Sequence, residues 1–152
     1  MRIKCIANEG KDLPEDCLDP RGGYGREAKF ALIIGKEYNV YAITLFRGYV
    51  WYYICDEDYF SYPIWNPAPL FEVVDGRISR YWKYNFTKGD KRWPGTKTIF
   101  AFEEWANDPY NYYDRLTNGN ETEVAIFKRY KDLMDVEFSD PSVSKIATDL
   151  EE

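Results

Sequence analysis

Gly35-Lys-Glu-Tyr-Asn-Val-Tyr-Ala-Ile-Thr-Leu-Phe46, Arg47-Gly48 and Tyr49-Val-Trp-Tyr-Tyr-Ile-Cys55 read together as one β-hairpin. Val, Ile, Thr, Tyr and Trp suit a pleated, half-buried surface. A short glycine-containing link between two such runs marks a reversal. Both faces of the first run are apolar: Tyr41, Ile43 and Leu45 on one, Val40, Ala42 and Phe46 on the other. A strand apolar on both faces is central or covered. The device recurs downstream. Leu70-Phe-Glu-Val-Val74, Asp75-Gly76 and Arg77-Ile-Ser-Arg-Tyr-Trp-Lys-Tyr-Asn-Phe86 predict a second hairpin, with Asp-Gly in a two-residue type I′ turn.

Further strands are expected at Arg2–Ala7, with Ile3, Cys5 and Ala7 facing inward, and at Lys97–Phe102. Phe30–Ile34 reads as a short strand or a buried approach to the first hairpin. Between them, Asn8–Arg26 carries Gly10, Pro14, Pro20, Gly22, Gly23 and Gly25 and reads as a long loop. Its Arg21-Gly-Gly-Tyr-Gly25 lacks the Lys-Ser/Thr ending and following helix of a phosphate-binding loop. Pro63, Pro67 and Pro69 make the stretch after Tyr62 an extended loop, anchored by Ile64 and Trp65.

The period changes after Phe102. Asp108-Pro109 starts a short helix, and Asn120-Glu-Thr-Glu123 has the spacing of a capping box. Ile126, Phe127, Tyr130, Leu133, Met134 and Phe138 then trace an apolar stripe at helical spacing. The expected fold is α+β: a bent antiparallel sheet of about five or six strands, with an SH3-like central meander, packed by a C-terminal helix. Residues 1–138 form one domain in this reading, and 139–152 a polar tail.

The chain has 152 residues and a net charge of −6, with no histidine and three cysteines. The acidity disfavours generic binding to nucleic acid or anionic membranes. The lack of imidazole removes the commonest general base and metal ligand. Three cysteines at unrelated spacings, Cys5, Cys17 and Cys55, are expected to be free thiols. With no apolar signal segment or membrane-spanning run, a cytoplasmic location is expected.

Charge is unevenly placed. Arg77–Lys97 holds seven cations against Asp90, a net of +6 that leaves −12 elsewhere. Arg80, Lys83, Lys91, Arg92 and Trp93 are the candidates if this basic, aromatic segment binds single-stranded nucleic acid. At the opposite pole, Asp56-Glu57-Asp58 follows a strand, beside Tyr59 and Tyr62. These five residues are the leading candidates for a face that meets a basic protein partner. Together with Asp56, Glu57 and Asp58, the acids Glu103, Glu104, Asp108 and Asp114 offer carboxylates for a hydrolase, a further alternative, with no fixed pair among them. No catalytic residue, metal or cofactor is assigned.

Gly35-Lys-Glu-Tyr38 with Val40-Tyr41, Trp51-Tyr-Tyr-Ile-Cys-Asp56, Pro67-Ala-Pro-Leu-Phe-Glu-Val-Val-Asp75 and Phe102-Glu-Glu-Trp105 followed by Asp108-Pro-Tyr110 resemble a family of small uncharacterised bacterial proteins. In size, acidity and aromatic content the chain is also similar to immunity-type proteins, small acidic partners that neutralise toxins. The resemblance implies a non-enzymatic protein-binding role and carries over no catalytic residue.

Overall fold

The computed structural model describes residues 1–89, 91 and 94–139. The fold is α+β. One sheet has the order β2-β1-β6, from β1 (Arg2–Cys5), β2 (Glu37–Asn39) and β6 (Phe71–Asp75). The other has the order β5-β4-β3-β8-β7, from β3 (Ala42–Phe46), β4 (Tyr49–Ile54), β5 (Ile64–Pro67), β7 (Trp82–Gly89) and β8 (Pro94–Phe102). Every pairing is antiparallel. Helices α1 (Glu103–Asn107), α2 (Pro109–Thr117) and α3 (Glu121–Ser139) follow. The eight strands among the described residues are thus divided between two sheets, where the sequence predicts one of five or six.

The first hairpin forms as expected. Phe46 faces Tyr49 across Arg47 (φ 52°) and Gly48 (φ 78°), two successive positive φ angles that suit a type I′ turn. Its first run, however, serves both sheets. Asn39 pairs with Arg2 in the small sheet. Val40 N–H donates to Met1 O, and Tyr41 N–H donates to Tyr53 O as the chain enters the large sheet. Val40, Tyr41 and Ala42 are all buried at this crossing, which is why the run is apolar on both faces.

The second hairpin does not form. β6 pairs with β1, and β7 pairs with β8. Ile3 and Cys5 are fully buried at the centre of the small sheet, and β6 covers the edge that β2 leaves open. Asp75 accepts hydrogen bonds from the backbone N–H and the guanidinium of Arg77, so Asp75-Gly76 carries the chain out of the sheet. The eight-residue β7 finds a longer partner in nine-residue β8 than five-residue β6 offers. Phe30–Ile34 forms no strand; Leu32 is buried, while Ile33 and Ile34 are exposed.

The glycine-rich segment is more ordered than a plain loop. It folds into three 3₁₀ turns, Gly10–Asp12, Glu15–Cys17 and Pro20–Gly22. Gly10 N–H donates to Ala28 O, and a Cβ on Gly10 would lie 1.9 Å from Gly25 O, so the close approach requires glycine.

The face of the large sheet carrying Ala42, Tyr53 and Ile99 is covered by α1 and α2. Tyr53 meets Trp105 edge-on at 4.8 Å and Tyr113 at 5.4 Å. Helix α3 packs across the junction of the sheets. Phe127 meets Tyr41 edge-on at 5.7 Å, and Tyr130 stacks on Phe102 at 4.3 Å. The sequence assigns the covering role to the C-terminal helix, which shares it with the shorter α1 and α2. Of the predicted stripe, Phe127, Met134 and Phe138 are buried and Leu133 is not. Residues 140–152 of the predicted tail lie outside the described residues.

Because Phe127 is 1 % exposed, Phe127→Ala should destabilise the protein by about 3–5 kcal/mol. The exposed neighbour Lys128 should tolerate alanine within about 0.5 kcal/mol. Chemical denaturation of both variants measures the contrast; equal small losses would show that α3 contributes little to the core.

Candidate functional site

The acidic loop is largely occupied by its own structure. Asp56 is buried, and its Oδ1 accepts the backbone N–H groups of Asp58 and Tyr59 at 2.9 Å each. Burial pushes its carboxyl above the usual carboxylate range, with those two hydrogen bonds opposing. Glu57 accepts from Lys36 and from Tyr38 Oη, which hold its carboxyl below its usual range. Asp58 is left exposed. Tyr59 and Tyr62 lie together, ring centroids 5.4 Å apart. The five predicted residues are therefore neighbours, but their negative charge is mostly spent on folding contacts.

The basic segment is dispersed in a similar way. Arg77 pairs with Asp75, and the exposed Arg80 lies over the Tyr81 ring. Lys83 is exposed on the face of β7 opposite Tyr84. Lys91 is exposed; Arg92 and Trp93 lie outside the described residues. Lys97, counted in the sequence only as one more cation of this segment, occupies quite different surroundings.

A cleft of about 430 Å³ opens between the large sheet and α2. Tyr53 of β4, Trp65 of β5, Lys97 of β8, Tyr110 and Tyr113 of α2 and Tyr24 of the glycine-rich segment line it. The walls hold one another in place. Trp65 Nε1 donates to Tyr24 Oη at 3.0 Å, and Tyr113 Oη donates to Pro63 O at 2.8 Å. Trp65 packs on Trp51 at 4.6 Å, and Tyr113 stacks on Trp105 at 5.6 Å. A smaller hollow of about 120 Å³, beside Thr44 and Phe46, shares Trp65, Lys97 and Tyr110 with the main cleft.

Lys97 Nζ donates to Tyr53 Oη at 3.3 Å. It lies 5.0 Å from the Tyr110 ring centroid, 5.8 Å from Tyr53 and 5.9 Å from Trp65. Ring faces attract a cation, but they replace its lost hydration only in part. Burial accordingly lowers the ammonium from its ordinary 10.5 to about 8. Asp114 and Thr117 of α2 also line the cleft. The size and apolar, aromatic lining are those of a small-ligand or side-chain pocket, typically about 300–1,000 Å³.

Sequence reasoning missed this site because it counts Lys97 only as one more cation of the basic segment. The retrievable signal was Tyr110 and Tyr113, one turn apart on α2 and therefore on one face.

Two of the carboxylates considered for hydrolysis have partners of their own. Glu104 accepts from Tyr130 Oη at 3.3 Å, and Asp108 lies 3.4 Å from Arg115. No three His, Cys, Asp or Glu among the described residues are grouped to hold a metal ion. Cys5, Cys17 and Cys55 are free, and burial pushes each thiol up, away from the reactive thiolate. No described helix is long and apolar enough to cross a membrane. No family model matches the chain, and neither a curated protein nor a solved structure matches it.

Two outcomes are expected. Asp56→Ala strands two backbone donors and should cost about 1–3 kcal/mol in chemical denaturation, whereas Asp58→Ala should stay within about 0.5 kcal/mol. Lys97→Met should raise the melting temperature at pH 7. Below pH about 8 the folded state carries a desolvated charge that the unfolded chain carries in water. From there to 10.5 only the unfolded lysine stays protonated, and above 10.5 neither form is charged. The gain from methionine should therefore be full at neutral pH and shrink as pH rises through that window; a variant less stable at pH 7 would contradict this account.

Proposed function

We propose that this is a non-catalytic binding protein that takes an aromatic-bearing segment of a protein partner into the Lys97 cleft. It acts in the cytoplasm as a small acidic partner of the immunity or antitoxin kind, with no cofactor. One observation carries the reading. The cleft is pre-formed, walled by interlocked aromatic rings, and holds a half-buried cation whose charged form burial disfavours. Groups kept at a cost to stability are commonly those that function uses. The rigid walls lose little conformational entropy on binding, which favours affinity. The net charge of −6 suits a partner that is basic overall, drawn in by the long-range field. The acidic loop contributes less to such recognition than its sequence implies, because Asp56 and Glu57 already have partners.

A second reading, binding of single-stranded nucleic acid, is favoured by a different surface. Tyr84 and Phe86 are 59 % and 49 % exposed on one face of β7, and Tyr84 lies 5.2 Å from Phe100. Exposed rings of this kind can stack bases. The overall acidity opposes it.

Selection of a random peptide library displayed on phage tests the first reading. Thr117→Trp places bulk at the cleft, and Tyr110→Ala removes a wall. Peptides enriched on the parent should bind both variants at least about 30-fold more weakly, the loss of a hot-spot contact of about 2 kcal/mol. Peptides that bind parent and variants alike, or a selection that enriches none, would overturn the reading. Salt-dependent binding of an oligothymidylate, lost on Tyr84→Ala, would support the second.

A further inference from the structure

Among the described residues, cations divide cleanly. Arg2, Lys4, Lys11, Arg26, Lys36, Arg47, Arg77, Arg115, Arg129 and Lys131 each have a carboxylate within 4.0 Å. The other lysines and arginines are exposed to water, except Lys97. Lys97 is half-buried, and no described carboxylate lies within ion-pair distance of it. An ammonium has three N–H donors; one goes to Tyr53 Oη, and the rings of Tyr110, Tyr53 and Trp65 lie 5.0, 5.8 and 5.9 Å from the Nζ. A ligand that enters can supply the missing anion.

The surroundings narrow its chemistry. One lysine matches one negative charge. A phosphate dianion would bring a second, and no other cation lines the cleft among the described residues. Rings of Tyr53, Trp65 and Tyr110 stand on several sides of the Nζ, so the body attached to the anion is apolar and flat, where stacked or edge-on ring contacts add to burial. The volume accommodates an aromatic ring with a short chain.

On the reading that the cleft is a binding site, we infer that its ligand is an aryl carboxylate, ring against the Tyr and Trp walls and carboxylate on Lys97 Nζ. Two sources share that chemistry: the free C-terminus of a protein partner that ends in an aromatic residue, and a free aryl-alkanoic acid. Binding is coupled to protonation. The titratable groups lining the cleft are Tyr24 from the glycine-rich segment, Tyr53 from β4, and Tyr110, Tyr113 and Asp114 from α2. Burial pushes the phenols of Tyr24, Tyr53 and Tyr113 up, so they stay neutral across the working range. Lys97 changes charge near pH 8 when the cleft is empty, and a bound carboxylate holds it protonated.

Isothermal titration calorimetry of the intact protein tests the inference with 3-phenylpropionate, its neutral amide, and an acetylated Gly-Gly-Phe peptide with free or amidated C-terminus. The acids should bind at least about tenfold more tightly than the amides. Lys97→Met should abolish that preference while leaving the amides bound. Affinity of the acids should be flat below pH about 8 and fall about tenfold per pH unit above it, far below the range of an ordinary lysine. A free-acid peptide that binds more tightly than 3-phenylpropionate points to a protein C-terminus; the reverse points to a small acid. Equal binding of acids and amides, or a preference that survives Lys97→Met, overturns the inference and leaves the cleft a neutral aromatic pocket. Failure of all four probes to bind overturns it too, and selection of cleft-dependent peptides lacking a carboxylate would then show that the cleft binds other chemistry.

Discussion

The structure depends on the crossing at Val40–Tyr41, where one strand leaves the small sheet and enters the large one. The crossing takes backbone groups from both sides and must satisfy each of them away from water. Val40 N–H goes to Met1 O, Tyr41 N–H goes to Tyr53 O, and Tyr41 O accepts from Trp82 Nε1 at 3.0 Å. Asp135 of α3 then ties the joint from outside, accepting from Asn39 Nδ2 at 2.9 Å and from Tyr41 Oη at 2.6 Å, with Lys131 on its second oxygen. One carboxylate thus binds a residue of the small sheet, the crossing and the helix together. The same end of α3 reaches further: Glu137 accepts from Ser79 Oγ and Arg80 N–H, and Arg2 Nη1 donates to Phe138 O. Helix, crossing and both sheets therefore fix one another's positions.

The parts of the fold legible in the sequence were those set by local chemistry. The turn at Arg47-Gly48, the inward alternation of Ile3 and Cys5, the helix start at Asp108-Pro109 and the stripe through Phe127 and Met134 all follow from short-range rules. What escaped was pairing between distant strands. Asp75-Gly76 has the residues of a tight turn, yet the geometry is decided elsewhere. β1 needs a second neighbour, and the Arg77 guanidinium holds Asp75 in an ion pair in which its carboxyl is lowered to about 2. Turn propensity is worth little against the closing of a buried sheet edge.

The candidate site was illegible for a related reason. Strand alternation correctly puts Lys97 on the same face as Ile99 and Ala101. Whether that face meets water depends on where α2 lies, and nothing local to Lys97 encodes that. At the acidic triplet the structure adds what the chain order does not show. Asp56-Glu57-Asp58 looks like an unneutralised patch, but Asp56 turns inward to hold two backbone amides and Glu57 meets Lys36 and Tyr38. Charge read along the chain measures composition, whereas recognition depends on the charge left over once folding contacts are made.

The cleft itself follows from how the chain reverses. Helix α2 starts at Pro109, ends at Thr117, and hands over through Gly119 (φ 80°) to α3, which runs back over the sheet junction. A helix of nine residues is about 13 Å long, too short to cover the whole width of a five-stranded sheet whose strands lie about 4.8 Å apart. The aromatic rack of Trp105, Tyr113, Tyr53 and Trp65 seals the part that α1 and α2 reach. At its margin the covering layer ends while the sheet continues, and the side chain that β8 presents there is Lys97. An apolar residue at that margin would close the core more stably. A charged residue among so many rings keeps the margin open as a cleft and gives it a sign.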